Sequence, residues 1–539
     1  MKKIIFILCI AHYSLLIANC FAQQPTEQWV ARYNSPHSIN DRFEGMAVDK
    51  LGNSYVTGWN TDSTTGNDII TAKINNAGQI VWSRTYNSGG PGSNELGKAI
   101  AVDNSGNVYV TGFTGLNTGP YDIITIKYDV NGNTVWAKIY DSGGTESAYA
   151  IKIDNADNVY ITGGTNNGTV LRAITIKYNP VGDTVWIMKF TGGNNSSSYC
   201  LDIDSFNNIY IGGSVQLTNW MSMVIKYNSS GTQLWSNIYN TGYTNTPYSI
   251  AVDSSGNGAV TGAIVFTPSS YGDYYTVRFT NDGNTLWQRY FNGPDNFTDI
   301  ANAVAIDVSS NVYITGYSGV GGVNSDYVTI KYNLQGDTLW TKRYDGPAND
   351  YDESFSICLD TSGNCYVTGA SVGSGSSDDY TTIKYNASGV QKWVVRYNGP
   401  ANGGDGAGSV IMGSNNTLYV GGESWGIGTG LDLAVVKYDQ LIGILNNTNE
   451  MPVEYKLFQN YPNPFNSTTV ITYALPKRSF VKLVLYNSIG ELVKEIVNGN
   501  EEAGYYTEIL NLDNFSSGIY FYKISAGDIT DTKKMILIK

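Results

Sequence analysis

From Trp29 to Tyr438 the chain repeats a unit of about 52 residues eight times, and few architectures can accommodate that. The clearest copy begins at Ala99 with AIAVDNSGNVYVTGFT, passes through a variable loop, and resumes as DIITIKYDVNGNTVWAKIY, ending at Tyr140. An aspartate closing a short apolar run recurs as Asp49, Asp103, Asp154, Asp204, Asp253, Asp307 and Asp360, with Gly413 in the eighth position. A basic residue falls late in each unit: Lys73, Lys127, Lys177, Lys226, Arg278, Lys331, Lys384 and Lys437. Nine positions later stands a tryptophan in the first seven copies: Trp82, Trp136, Trp186, Trp235, Trp287, Trp340 and Trp393.

Each unit reads as four short strands, in the second copy roughly 98–103, 107–113, 122–128 and 134–140. The first two strands join across Asp103–Asn107, where the aspartate caps a turn and Gly106 takes positive φ. The last two join across an x-Gly pair, Asn131-Gly132 in this copy, a hairpin signal. A two-residue loop there puts each basic residue opposite its tryptophan on one face. The expected outcome is a ladder of cation–π staples, Lys127 on Trp136, Lys331 on Trp340 and Lys384 on Trp393.

Four-stranded units of this length in eight copies predict an all-β chain built as an eight-bladed β-propeller. An open solenoid or a row of sandwiches would leave exposed edges at both ends. The termini favour a ring. The eighth unit stops after its third strand, at Tyr438, without a tryptophan, and WVARYNSP from Trp29 matches WVVRYNGP from Trp393 almost residue for residue. Residues 29–33 are therefore expected to supply the missing fourth strand as a clasp, with Lys437 facing Trp29. Glycine (60) and tyrosine (41) abound in the 539 residues, as tight turns and pleated strands require.

The run D-x-x-G-N-x-Y-V-x-G, as in Asp103 to Gly112 and Asp360 to Gly369, followed by D-x-x-x-x-K, resembles the bacterial SBBP-type β-propeller repeat. In its first two strands it is also similar to the NHL-type repeat. The resemblance spans nearly all of residues 29–438 and implies a fold and an extracellular location rather than an activity.

The pattern ends after Tyr438. Residues 441–454 read as a polar linker closing the propeller region 23–440, and 455–539 as a small β-sandwich of alternating strands. This tail resembles the type A sorting domain of the type IX secretion system. The matching residues are Tyr461, Pro462, Asn463, Pro464, Phe465 and Asn466, then LVLYNSIG from Leu483, Gly504, Gly518 and Tyr520 within SGIY, and Lys533-Lys534-Met535. The resemblance implies handling by type IX machinery, removal by a surface sortase between about residues 445 and 455, and secretion or attachment to the outer cell surface. At the other end, residues 1–22 read as a signal peptide: Lys2 and Lys3, an apolar stretch, and cleavage after Ala22. No later segment is apolar for the ~20 residues a membrane helix needs.

Chemistry is sparse. His12 leaves with the signal, so a histidine-based catalytic or zinc site would rest on His37 alone. Aspartates opening the third strand recur as Asp68, Asp122, Asp273, Asp326, Asp379 and Asp432, with Arg172 and Met221 in the other copies. A catalytic pair should be unique, so these read as structural, and no metal or cofactor is expected. Cys358 and Cys365 are expected on neighbouring strands facing opposite ways, against a disulfide. The net charge of −13 offers no basic stripe for nucleic acid. The units differ most in the loops between second and third strands, where Trp220, Tyr271 and Trp425 are the candidate ligand-binding aromatics. The sequence thus reads as a non-catalytic binding or adhesion module for a glycan or protein ligand. The alternatives are an extracellular polysaccharide hydrolase or lyase, and a purely structural surface protein.

Overall fold

The computed structural model describes residues 24–440 and 452–538, apart from 37, 63–64, 90–91, 117–118, 267–271, 323, 453, 461–462, 464, 466–467, 513–514 and 528. The signal segment, His37, Tyr271, most of the linker, and Tyr461, Pro462, Pro464 and Asn466 of the sorting motif lie outside the described residues. The chain divides into two compact units at residues 441 and 442. Both are β-structured, with one short 3₁₀ turn and no α-helix among the described residues.

The larger unit holds eight four-strand antiparallel sheets in a propeller-like arrangement, the first of them with an extra short strand. The second sheet is typical: Leu96–Val102, Val108–Gly115, Tyr121–Tyr128 and Thr134–Tyr140, paired in chain order. First strands of successive sheets contact one another, which makes them the inner edges. The middle two strands are buried on both faces, because each sheet is covered by its neighbours. Buried clusters accordingly draw from two sheets at once. Tyr109, Ile123 and Trp136 of the second pack with Ala148, Ile161 and Ile176 of the third, and Ala31, Leu433 and Val435 of the eighth with Met46, Val56 and Ile70 of the first.

In the eighth sheet the N-terminal strand Thr26–Tyr33 runs antiparallel to Gly430–Asp439, with Trp29 opposite Lys437. The last hairpin of each earlier sheet is not the two-residue loop read from sequence. In the second sheet the Gly132 amide donates to the Asp129 carbonyl (2.9 Å) and the Asp129 amide to the Asn133 carbonyl (2.9 Å), a turn closed by glycine at φ +78°. The fourth strand then skips one residue, so Thr134 faces Tyr128 while Trp136 still faces Lys127. A bulge restores the register that the longer loop displaces.

The basic residues also differ from expectation. Each ammonium lies over the tyrosine on its other cross-strand neighbour: Lys127 over Tyr109 at 5.0 Å, Lys331 over Tyr313 at 4.6 Å, Lys384 over Tyr366 at 4.9 Å and Lys437 over Tyr419 at 5.6 Å. The tryptophan leans toward the next sheet instead. Lys127 Nζ (3.0 Å) and Trp136 Nε1 (3.3 Å) both donate to the Pro180 carbonyl in the third sheet's hairpin. Lys331 and Trp340 share Ala387 in the same way, and Lys437 and Trp29 share Asn76 of the first sheet (3.3 and 3.0 Å). The seventh sheet has no hairpin ahead of it, and Lys384 donates to the Gln440 side chain (2.6 Å). Cys200, Cys358 and Cys365 are free thiols.

The smaller unit is a sandwich of a three-stranded and a four-stranded sheet over one apolar core containing Phe465, Leu483, Leu485, Tyr522 and Met535. The described part of the sorting motif braces the final strand, Ile529–Leu537. The Ile536 amide donates to Asn463 Oδ1 (2.8 Å) and the Phe465 amide to the Ile536 carbonyl (2.9 Å), while Asn463 Nδ2 donates to the Lys534 carbonyl (3.2 Å). Tyr520 Oη donates to the Ser516 carbonyl (2.8 Å), Lys533 pairs with Asp531 at 3.8 Å, and Gly518 faces open space.

Each hairpin glycine is required twice over, because the preceding tryptophan lies on it. A Cβ at Gly132 would stand 2.7 Å from the Trp82 ring, whereas one at Gly143 (φ +84°) meets nothing within 4 Å. Gly143→Ala is expected to cost about 1 kcal/mol from backbone strain alone. Gly132→Ala should cost roughly 1–3 kcal/mol more, read as a lower urea midpoint. Equal midpoints would remove the contact from the account.

Candidate functional site

All eight first strands carry a bulge, and the skipped residue is tyrosine in three sheets and different in each of the others: Glu44, Lys98, Tyr149, Tyr199, Tyr248, Asn302, Phe355 and Gly408. The cause lies in the second strand. A Cβ at Gly112 would stand 1.8 Å from the Leu96 carbonyl, and one at Gly369 1.9 Å from the Glu353 carbonyl. The glycine of the V-x-G run thus lets the first strand approach closely enough to bulge. Freed from the ladder, these side chains meet across adjacent inner edges. Lys98 pairs with Glu44, Tyr149 and Tyr199 sit 6.1 Å apart, and Asn302 Nδ2 donates to the Ser354 carbonyl (2.9 Å).

The inner surface opens between the seventh and eighth sheets. Beside Gly404 and Gly406 lies a cleft of about 800 Å³, reached also by Arg42 of the first sheet. A smaller recess of about 250 Å³ shares Arg42, Phe355, Gly406 and Glu423 with it, and adds Glu44, Trp59 and Gly408. Three aromatic rings stay exposed at the cleft: Tyr351 (53%), Phe355 (38%) and Trp425 (42%). Trp425 rests on Gly403, where a Cβ would stand 2.6 Å from the indole.

Carboxylates surround those rings: Asp350, Glu353, Asp378, Asp405 and Glu423. Burial raises the pKa of Glu353, helped by Asp378, and burial with Asp350 and Asp379 raises that of Asp378. Burial also raises Glu423 despite Arg42, 3.1 Å away. Asp405 accepts the Gly399 and Trp425 amides (2.5 and 2.9 Å).

Of the described sequence candidates, Trp425 reaches this cleft and Trp220 does not. Trp220 opens the third strand of the fourth sheet, half-buried and opposite Gln216. The loops between second and third strands therefore contribute one ring, and the first strands and the segments before them contribute most of the rest. The signal for this was an interior strand glycine in every unit, which marks a bulge.

The third-strand aspartates lie at seams between sheets. Asp326, Asp379 and Asp432 are held by fourth-strand Arg343, Arg396 (2.9 Å) and Arg32 (2.8 Å). Asp68, Asp122 and Asp273 feel an acid in or just before the next sheet's first strand: Glu95, Glu146 and Asp299. Where the aspartate becomes Arg172 or Met221, that acid becomes Ser196 or Asn245, so the two positions change together. Among the described residues, two triads bring carboxylate oxygens within 4.8 Å of one another and could hold a metal ion: Asp122, Asp141 and Glu146, and Asp326, Asp345 and Asp352. Arg343 already occupies Asp326 of the second.

Residues 459–539 match the family described as the secretion system C-terminal sorting domain. The C-terminal unit therefore marks a secreted or cell-surface protein handled by type IX secretion. Residues 182–376 match the family of the outer membrane protein assembly factor BamB, a PQQ-like propeller repeat. An uncharacterised WD repeat-containing protein of Acanthamoeba polyphaga mimivirus is 28% identical over 162 residues, 23% of this chain. The chain spans 11% of the length of that curated relative. Among solved structures, Sqt1 from Chaetomium thermophilum aligns over 76% of this chain and 100% of its own, with 10% identity and a TM-score of 0.46. The polysaccharide lyase Uly1 aligns over 77% and 99%, with 11% identity and a TM-score of 0.40.

The seam acids carry a pH signature. Burial, then Asp141 and Glu146, push the Asp122 carboxyl up to about 6. A carboxyl that binds its proton more tightly folded than unfolded stabilises the fold in acid, and that contribution is lost as pH rises through about 6. Asp122→Asn should therefore raise the melting temperature more at about pH 7.5 than at about pH 4.5. Equal shifts at both would contradict the electrostatic cause.

Proposed function

We propose that this protein is an exported SBBP-type propeller of eight blades, closed by its N-terminal strand, that acts as a non-catalytic recognition module for an extracellular glycan. On this reading the sorting domain delivers it to the cell surface, where a sortase removes the tail. The observation that carries the ligand reading is the inner-edge cleft, with Tyr351, Phe355 and Trp425 exposed among hydrogen-bonding carboxylates. Exposed rings stack on the apolar faces of sugars, while carboxylates accept from their hydroxyls.

Closure rests on the eighth sheet meeting the first through the same tryptophan and lysine contacts that join other neighbours. If the ring is closed, Trp29→Ala should lower the melting temperature as much as Trp235→Ala does, a loss of roughly 1–3 kcal/mol for a large half-buried ring. An open seam would make Trp29→Ala nearly silent.

A second reading, a glycan-cleaving enzyme, draws on Glu353, Asp378 and Glu423, whose raised proton affinity suits acid catalysis. One experiment separates the two. The purified full chain is titrated with a panel of surface and extracellular oligosaccharides, and the incubated samples are examined for shortened products. Saturable binding without products supports recognition, and Phe355→Ala or Trp425→Ala should weaken it by at least ~10-fold without lowering the melting temperature. Product release abolished by Glu353→Gln would establish the enzyme.

A further inference from the structure

The cleft has an unbalanced charge. Its five carboxylates face one cation, Arg42, which is already paired with Glu423 at 3.1 Å. The neighbouring Arg396 is engaged by Asp379, through Nε at 3.2 Å and Nη2 at 2.9 Å, and by Ser371. Among the described residues, Asp350, Glu353 and Asp378 have no salt bridge of their own. Glu353 and Asp378 are partly buried, where a carboxylate without a counterion is held at a cost that a positively charged ligand relieves, and the exposed Asp350 adds its charge beside them. The rings beside them present faces whose negative electrostatic potential also favours a cation.

We infer that the ligand is a glycan with free amino groups, an oligosaccharide of deacetylated hexosamines, and this rests on the glycan-recognition reading above. Each ammonium would approach Asp350, Glu353 or Asp378, while the sugar faces lie on Phe355 and Trp425. N-acetylation keeps the same backbone and hydroxyls but removes the charge, so it should remove most of the affinity. Gly404 and Gly406 keep the wall low enough for a chain to lie across it. A side chain at Gly403 would displace Trp425.

The test compares a β-1,4-glucosamine hexamer with its fully N-acetylated counterpart on the full chain, by calorimetry near pH 6 at two salt concentrations. The expected result is at least ~10-fold tighter binding of the free amine, weakened by salt. Glu353→Gln and the exposed Asp350→Asn should each reduce that preference. Phe355→Ala should weaken both hexamers alike. Asp183→Asn with Asp337→Asn, at distant exposed hairpins, should change nothing.

Equal affinity for the two hexamers, unaffected by Glu353→Gln, overturns the charge inference and leaves glycan recognition standing. Amine-selective binding that persists in Glu353→Gln and Asp350→Asn but falls in the distant double variant also overturns it, since the acidic surface as a whole would then be the attractor. Failure of both hexamers and of the whole oligosaccharide panel overturns the recognition reading as well.

Discussion

The larger unit depends on one recurring contact, a tryptophan ring laid over the hairpin glycine of the next sheet with its N–H on a carbonyl two residues earlier. The lysine opposite that tryptophan reaches the same carbonyl in most sheets, so two donors converge on one acceptor. An aspartate, a tyrosine and the lysine form a column behind it: Tyr109 Oη donates to Asp103 Oδ2 (3.1 Å) and its ring carries the Lys127 ammonium. The column holds the lysine in place, the bulge keeps the tryptophan in register, and the glycine admits the ring. Sheets that would otherwise only stack apolar faces acquire a defined lateral and angular setting. That setting is what brings the inner edges of successive sheets side by side.

How much of this was legible follows from what repeats. Strand positions and the turn between the first two strands could be read directly, because each recurs within one chain, while the last hairpin was read one residue too short and the match between Trp29 and Trp393 marked the fourth strand of the eighth sheet. The partner of the lysine was misread because two aromatic neighbours share its face, and spacing alone cannot say which ring turns toward another sheet. The sorting motif was legible as a pattern, and the bracing of the final strand by Asn463 and Phe465 gives part of it a physical reason.

The cleft was nearly invisible for the opposite reason. Its residues are those that do not repeat, and they fall on a strand whose alternation is broken by the bulge. Glu44, Phe355 and Gly408 occupy one structural position, yet share neither size nor charge. The interior glycine of the second strand is the only periodic mark they leave. The seam acids were half seen: the aspartates of the third strand recur conspicuously, while their partners vary among aspartate and glutamate and follow loops of unequal length.

The eighth sheet joins the two ends of the unit: Tyr33 pairs with Leu433, 400 residues later. Loop-closure entropy makes such a pairing slow, and it cannot begin until nearly the whole unit has emerged. The Gly430–Asp439 strand is the last strand of the larger unit. Completion of the last sheet is thus a late event in the life of the chain, timed by its far end. Until then the N-terminal strand remains a loose edge, open to chaperones and to any partner that can lend it a strand.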